Sequence, residues 1–169
     1  MVQSVDLLLD LLQKMLGLHR DLLESARKEY SAIERADRGA LDACTLVRET
    51  LAGSIRIIED ERIRHARDCA RALGLKDNDI TVAKVADALH ATDPKRAGQL
   101  RGLRSGLAGL IEAVLAQGKR NSILLERGLQ HVREMKKNAL SERDRSAETY
   151  GNQGQSLRPQ ATGLLSKEA

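Results

Sequence analysis

Hydrophobic residues recur along most of the chain at alternating spacings of four and three, a pattern typical of long helices that pack side by side. The longest run extends from Pro94 to Leu140. Asp93 is placed to cap this helix, and Pro94 suits its first position. Its stripe is Leu107, Ile111, Val114, Gly118, Asn121, Leu125, Gly128, Val132, Met135 and Ala139. At about 1.5 Å per residue the helix would be roughly 70 Å long.

Two further long helices are predicted upstream. The first starts with Ser4 as its cap and runs to about Arg38, where Gly39 offers a left-handed stop. The second runs from about Ala40 to Leu73 and ends in the same way at Gly74. Each has about 34 residues and would be roughly 50 Å long.

A short helix is predicted between the second and third long helices. Thr81 is placed as its N-cap, and Ile80 and Val85 occupy the positions of a hydrophobic staple. The helix would run from Val82 to about His90. Its small apolar face suits a cover for one end of the other helices.

These elements predict an all-α fold. It would be an elongated antiparallel bundle of three long, coiled-coil-like helices plus one short helix between helices 2 and 3. Residues 1–142 would form this helical domain. Residues 143–169 are polar and rich in Gly, Gln and Ser, which predicts a flexible, disordered tail.

The last helix is longer than its partners and would overhang them. Its C-terminal part would then be a partly uncovered amphipathic surface, which in a soluble protein suggests a binding site for another helix. The apolar residues of this part are Leu129, Val132, Met135 and Leu140, and they stand among Arg133, Lys136 and Lys137.

The positive charge of the chain is concentrated on this helix. Residues 94–143 carry eleven Lys and Arg against four Glu, whereas the whole chain has a net charge of +4. A solvated helix face and attraction to an acidic partner both fit this asymmetry. Nucleic acid is disfavoured, because single-strand binders stack bases on aromatic rings and only Tyr30 and Tyr150 are aromatic.

Asn121 and a group of glycines interrupt the pattern of the last helix. A polar Asn on the core stripe is predicted to fix helix register, with a direct binding role as the alternative. Gly98, Gly102, Gly106 and Gly109 share another face. Either these glycines are neutral substitutions tolerated on a solvent-exposed face, or they have a function. The function would be to make the helix flexible (a soft helix) or to let another backbone approach closely.

No pattern marks a catalytic site, a cofactor or a metal. His65 and Cys69 lie four apart and supply only two ligands, whereas structural metal sites usually need four. The common nucleotide and metalloprotease motifs do not occur. A histidine phosphotransfer bundle needs an exposed His followed by a Gly-containing turn of helix, and neither His19 nor His131 has one. The chain is therefore not expected to be an enzyme.

A cytoplasmic location is expected. No stretch reaches about 18 uncharged apolar residues, so no membrane insertion is predicted. The Leu-rich N-terminus contains Asp6 and Asp10 and follows no basic segment, unlike a secretory signal. Cys44 and Cys69 fit a reducing compartment better than a disulfide.

Tyr150 lies in a polar segment, residues 146–155, that has no apolar neighbours to bury it. An isolated aromatic in such a segment is either an anchor for a pocket on a partner or an idle tail residue.

The order of these features resembles the FlgN family of flagellar export chaperones, over roughly Val5 to Gly154. The resemblance rests on the Leu-rich first helix, Leu73-Gly74-Leu75, the Thr81-started helix, residues 121–133 and residues 150–154. It implies a non-enzymatic, cytoplasmic chaperone of type III export. Such a chaperone would bind the C-terminal helices of the hook–filament junction proteins FlgK and FlgL, prevent their premature assembly and deliver them to the export gate.

The resemblance also implies functional residues. It places client binding on the C-terminal part of the last helix, where Leu125, Leu129, Val132 and Met135 are the predicted contacts. It assigns docking on the gate protein FlhA to Tyr150. The alternatives are a structural coiled-coil protein that self-associates through the same stripe and, less favoured, a histidine phosphotransfer bundle. The sequence leaves the oligomeric state open.

Overall fold

A computed structural model of the chain describes residues 2–75, 80–146, 149–150 and 156–157. Its helices are α1 (Val2–Glu34), α2 (Arg38–Ala72), α3 (Val82–Leu89) and α4 (Pro94–Ser146). Two short strands follow, β1 (Thr149–Tyr150) and β2 (Ser156–Leu157), which pair antiparallel. The described chain is almost wholly helical, which confirms the all-α class and its three long helices and one short one. Across those described ranges, no helix has the length and apolar character that a membrane span requires.

The connection between α1 and α2 differs from the prediction. α1 ends at Glu34, earlier than expected, and Ala36 takes the left-handed conformation (φ 51°) that was predicted for Gly39. The reason is that Asp37 caps α2, since its carboxylate accepts a hydrogen bond from the Ala40 N–H at 3.0 Å. Gly39 consequently lies inside α2.

The start of α1 was also predicted wrongly. The helix begins at Val2, so Ser4 lies inside its first turns and does not cap it. The apolar residues on either side of Ser4 belong to the same helical pattern, and that pattern extends the helix past the residue that resembles a cap.

The remaining helix ends agree with their local signals. Gly74 has a φ of 74° and follows the end of α2. The Thr81 side chain accepts a hydrogen bond from the Lys84 N–H at 3.3 Å and starts α3. Asp93 accepts from the Arg96 N–H at 3.0 Å and starts α4. This backbone donor, together with the Arg96 guanidinium, lowers the pKa of the Asp93 carboxyl.

α4 continues past the predicted end near Leu140, to Ser146. Residues 141–146 contain neither Gly nor Pro, so no residue there terminates the helix. Beyond α4, the two strands lie in the segment predicted to be disordered, with Thr149 opposite Leu157 and Tyr150 opposite Ser156. The rest of that prediction falls outside the described residues.

The chain divides into two compact units, Met1–Leu124 and Leu125–Ala169, and α4 is continuous across the division. The hydrophobic core belongs to the first unit and draws on all four helices. Its buried residues are Val5, Leu8, Leu12, Met15, Leu16, Ala66, Cys69, Ala70, Val82, Val85, Ala86, Leu89, Ala97, Leu100 and Leu107. The short α3 thus contributes its whole apolar face to this core.

Specific contacts within the first unit give the helix directions. The Arg96 guanidinium at the start of α4 contacts the Asp6 carboxylate near the start of α1 at 2.7 Å. Later in both helices, the Asn121 amide reaches the backbone carbonyl of Ala26. α1 and α4 therefore run in the same direction. Glu29 of α1 pairs with Arg48 of α2 across the intervening turn, so these two helices are antiparallel neighbours.

Candidate partner-binding surfaces

The residues predicted to bind a client lie along one exposed face of α4. Leu125, Leu129, Val132 and Met135 are 46, 50, 56 and 50% exposed. Their spacings of four, three and three residues return to the same side of a helix. We call this row the α4 stripe. Isolated surface aliphatics are common, but a contiguous row of large ones marks an interaction surface.

Basic side chains accompany the α4 stripe. Arg133, Lys136 and Lys137 are all exposed. Lys136 lies seven residues after Leu129 and so falls on the stripe itself, whereas Arg133 lies at its border and Lys137 lies further round the helix. None of the three basic residues has an ion pair within the described part of the chain. Their charges are available to an acidic partner.

Asn121 lies in a buried polar network between α1, α2 and α4. It is 4% exposed, and its Nδ2 donates to the carbonyl of Ala26 at 2.7 Å and to the carboxylate of Glu29 at 2.8 Å. Gln117 donates to the Asn121 oxygen at 2.9 Å, and Arg48 donates to Glu29 at 2.8 Å. The sequence pattern singled out Asn121 but not its partners, because no local signal indicates which polar residues meet across three helices. Its role in setting register remains a prediction.

Tyr150, the predicted gate-docking residue, lies in β1 and is paired with Ser156 of β2. Its side chain is outside the described part of the structure. Tyr150 and the α4 stripe both belong to the Leu125–Ala169 unit. Docking through Tyr150 remains a prediction.

Neither the cysteines nor the histidines form a recognisable chemical site. Cys69 is 1% exposed, and burial raises the pKa of its thiol to about 11, so the thiol is protonated near neutral pH and a poor metal ligand. No group of three or more metal-ligating side chains occurs among the described residues. His19 of α1 is buried and is therefore not the exposed histidine that phosphotransfer needs.

A groove that the sequence analysis did not identify lies in the first unit. It runs over α1 between α2 and α4, and the start of α3 lies at one end. Its volume is about 410 Å³. The floor is formed by Leu12, Met15 and His19, and the walls include Ile55 of α2 and Ile111 of α4. The helical periodicity predicts that the apolar lining residues face inward. The groove itself depends on the distance between α2 and α4, which are not consecutive long helices, and periodicity does not give that distance.

Together, the fold and the α4 stripe define an all-helical protein with a long amphipathic helix whose apolar side is partly uncovered. The family model described as FlgN protein matches residues 1–158, and the chain belongs to the FlgN family. This confirms the resemblance inferred from the order of sequence features. FlgN is a family of chaperones of flagellum assembly, and membership supports a role in flagellar export. No curated protein and no solved structure matches the chain.

Proposed function

We propose that this protein is a cytoplasmic chaperone of flagellar type III export whose clients are the hook–filament junction proteins FlgK and FlgL. It would bind their C-terminal helices, prevent premature assembly and deliver them to the export gate. Membership of the FlgN family supports the general role. The observation that supports the assignment of the client-binding surface is the α4 stripe, a row of large apolar side chains that are each about half exposed.

The chemistry of the α4 stripe suits reversible helix binding. Full burial of one large aliphatic side chain contributes roughly 1.5–3 kcal/mol relative to full exposure. Half of that remains available at each stripe residue, and ordering of the client offsets part of the gain. The result is a moderate affinity, which suits a client that must be released. Lys136 and Arg133 favour a client helix with acidic residues beside its apolar face.

On this proposal the three long helices pack as a coiled-coil-like antiparallel bundle, to which α4 contributes the part before Leu125. Asn121 would set the register of α4 against α1 through its bonds to Ala26 and Glu29. A fixed register would hold the part of α4 before Leu125 in one position against α1.

Docking on FlhA is assigned to Tyr150. An aromatic side chain supplies large apolar area to a pocket on a partner. Separate residues for the client and for the gate would allow both partners to be held at once during delivery.

The test is calorimetric titration of purified FlgK and FlgL into the full chain. Wild type should form a 1:1 complex, and a variant with Leu129, Val132 and Met135 each replaced by Ser should lose it. Ile123→Ser is a matched control, because Ile123 is 41% exposed and lies on a different face of the same helix. Equal binding by the triple variant and the control would exclude the α4 stripe as the client site.

Gate docking is tested with Tyr150→Ala. This variant should bind the client normally and bind the cytoplasmic domain of FlhA less tightly. Loss of client binding on this substitution would contradict the proposed separation of the two sites.

The alternative function is self-association through the α4 stripe, which its helical spacing also permits. Light scattering over a concentration series distinguishes the two. A stable dimer that dissociates when Leu129 is replaced would favour a structural coiled-coil protein. Lys136 on the stripe argues against this, because two copies would bring like charges together in a parallel pair.

A further inference from the structure

The groove over α1 has the features of a second binding site. All of its lining residues lie in the Met1–Leu124 unit, so it shares no residue with the α4 stripe. Its floor and walls are largely aliphatic. Ile111, on the α4 wall, is 39% exposed, and Leu115, one turn further along, is 68% exposed. The apolar wall therefore extends beyond the groove for another helical turn, which suits an elongated ligand better than a small molecule.

The charges at the groove point to an acidic ligand. Arg62 of α2 is bound by Glu59 through two hydrogen bonds of 2.7 and 2.6 Å, so this pair is already neutralised. Arg104 of α4 lines the opposite wall, is exposed, and has no hydrogen bond or ion pair within the described residues. One uncompensated guanidinium thus stands beside an apolar groove, where a carboxylate would form a charge-assisted hydrogen bond.

The groove floor also offers a polar atom without a hydrogen-bond partner among the described residues. His19 is 7% exposed, and its Nδ1 lies 2.8 Å from the backbone carbonyl of Met15. A carbonyl only accepts, so Nδ1 donates this hydrogen bond, and Nε2 is the ring nitrogen left for a ligand. No fully buried side-chain nitrogen or oxygen among the described residues lacks a partner, so the unbonded Nε2 is accessible to the groove that His19 lines.

We propose that this groove binds a second amphipathic helix of the exported client, separate from the helix on the α4 stripe. That helix would place aliphatic side chains against Leu12, Ile55 and Ile111, a carboxylate against Arg104, and a hydroxyl or amide group near His19. This proposal rests on the proposed chaperone function. A client held at two places is shielded over a longer apolar surface than the α4 stripe alone covers.

Hydrogen–deuterium exchange of the full chain, with and without purified FlgK or FlgL, tests the site. The client should slow exchange in residues 12–19, 55–62 and 104–111 as well as in the α4 stripe. Arg104→Glu and Ile111→Ser should abolish the slowing in the groove and weaken client binding by about tenfold, as expected for losing one charge-assisted contact or one buried aliphatic side chain.

Matched controls separate this effect from general damage. Ile123→Ser removes an aliphatic side chain of similar exposure, and Lys119→Glu makes the same charge change on α4 outside the groove. Both should bind the client as wild type does. Client binding that is unaffected at Ile111 and Arg104 would overturn this inference and leave the proposed function intact.

Two other outcomes have distinct meanings. If wild type binds neither junction protein, the proposed function fails, and this inference fails with it. If exchange in the groove slows as the chaperone concentration rises without any client, the occupant is a second copy of this chain, and the client-helix proposal is wrong.

Discussion

Glu29 is the residue at which α1, α2 and α4 are joined by polar contacts. Its carboxylate accepts one hydrogen bond from Arg48 and one from Asn121, and its side chain is only 16% exposed. Asn121 extends this network to Ala26 and Gln117. Most of the groups involved are buried, and a buried donor or acceptor that loses its partner costs more than an exposed one.

We expect Asn121→Ala to lower the free energy of unfolding by about 1–3 kcal/mol, since it removes two donated bonds and one accepted bond from a buried site. Urea denaturation monitored by circular dichroism measures the change. Ser122→Ala is the matched control: Ser122 is exposed and bonds only the Gly118 carbonyl of its own helix, so the change should stay within about 0.5 kcal/mol. Equal stabilities of the two variants would show that the network contributes little.

At the scale of single elements, the glycines of α4 have no packing role that the structure supports. A Cβ added at Gly98, Gly102 or Gly109 would meet no atom within 4 Å, and one at Gly106 would lie an ordinary 3.6 Å from Leu16. A close approach of another backbone is therefore not the reason for these residues. Two explanations remain: neutral substitution on an exposed face, and a helix that is made flexible by its glycines (a soft helix).

Replacing Gly98, Gly102 and Gly109 by Ala should raise the free energy of unfolding by up to about 1 kcal/mol each, because Ala restricts the unfolded chain and favours the helix. Thermal and urea unfolding provide the measurement. Gly74→Ala is the contrasting case and should destabilise, since Gly74 holds a φ of 74°. A triple variant that is more stable but binds its client less well would favour the soft-helix interpretation.

Helix boundaries were predictable where a single capping residue or a single glycine stop stood at the end of a helix. Thr81, Asp93 and Gly74 had no competitor nearby, and each ends or starts a helix as expected. Between α1 and α2 two signals competed, and the cap formed by Asp37 prevailed over the stop expected at Gly39. Local chemistry does not decide such a competition, because the positions of both helices in the core also contribute.

At the scale of the whole molecule, burial ends before the α4 stripe begins. Among the residues whose burial the structure describes, every buried one precedes Leu125, and residues 125–142 are exposed throughout. The periodicity of the sequence predicted which residues share the stripe. It did not predict where α4 changes from buried to exposed, because the same spacing continues through both parts of the helix. Burial depends on whether a neighbouring helix is present, and periodicity alone does not report this.

A chain truncated after Leu124 should therefore still fold. Its core is complete, so we expect cooperative unfolding with a Tm within about 4 °C of the full chain. Differential scanning calorimetry measures this, and pull-down of FlgK and FlgL by the two chains, compared side by side, should recover much less client with the truncated chain, which keeps the groove over α1 but lacks the α4 stripe. A truncated chain that fails to unfold cooperatively would mean that residues after Leu124 stabilise the first unit.

The first part of the continuous helix α4 contributes buried residues to the core, and its last part is exposed and carries the α4 stripe. Genetic lesions along it should consequently fall into two kinds. Substitution of its buried residues, such as Leu100, would deplete the protein in the cell, because the core is destabilised. Damage to the α4 stripe would leave abundant protein that binds its client poorly. If Tyr150 still docks, such idle molecules would occupy the gate and interfere with intact chaperone, so these alleles would be dominant when overexpressed, whereas core alleles would be recessive.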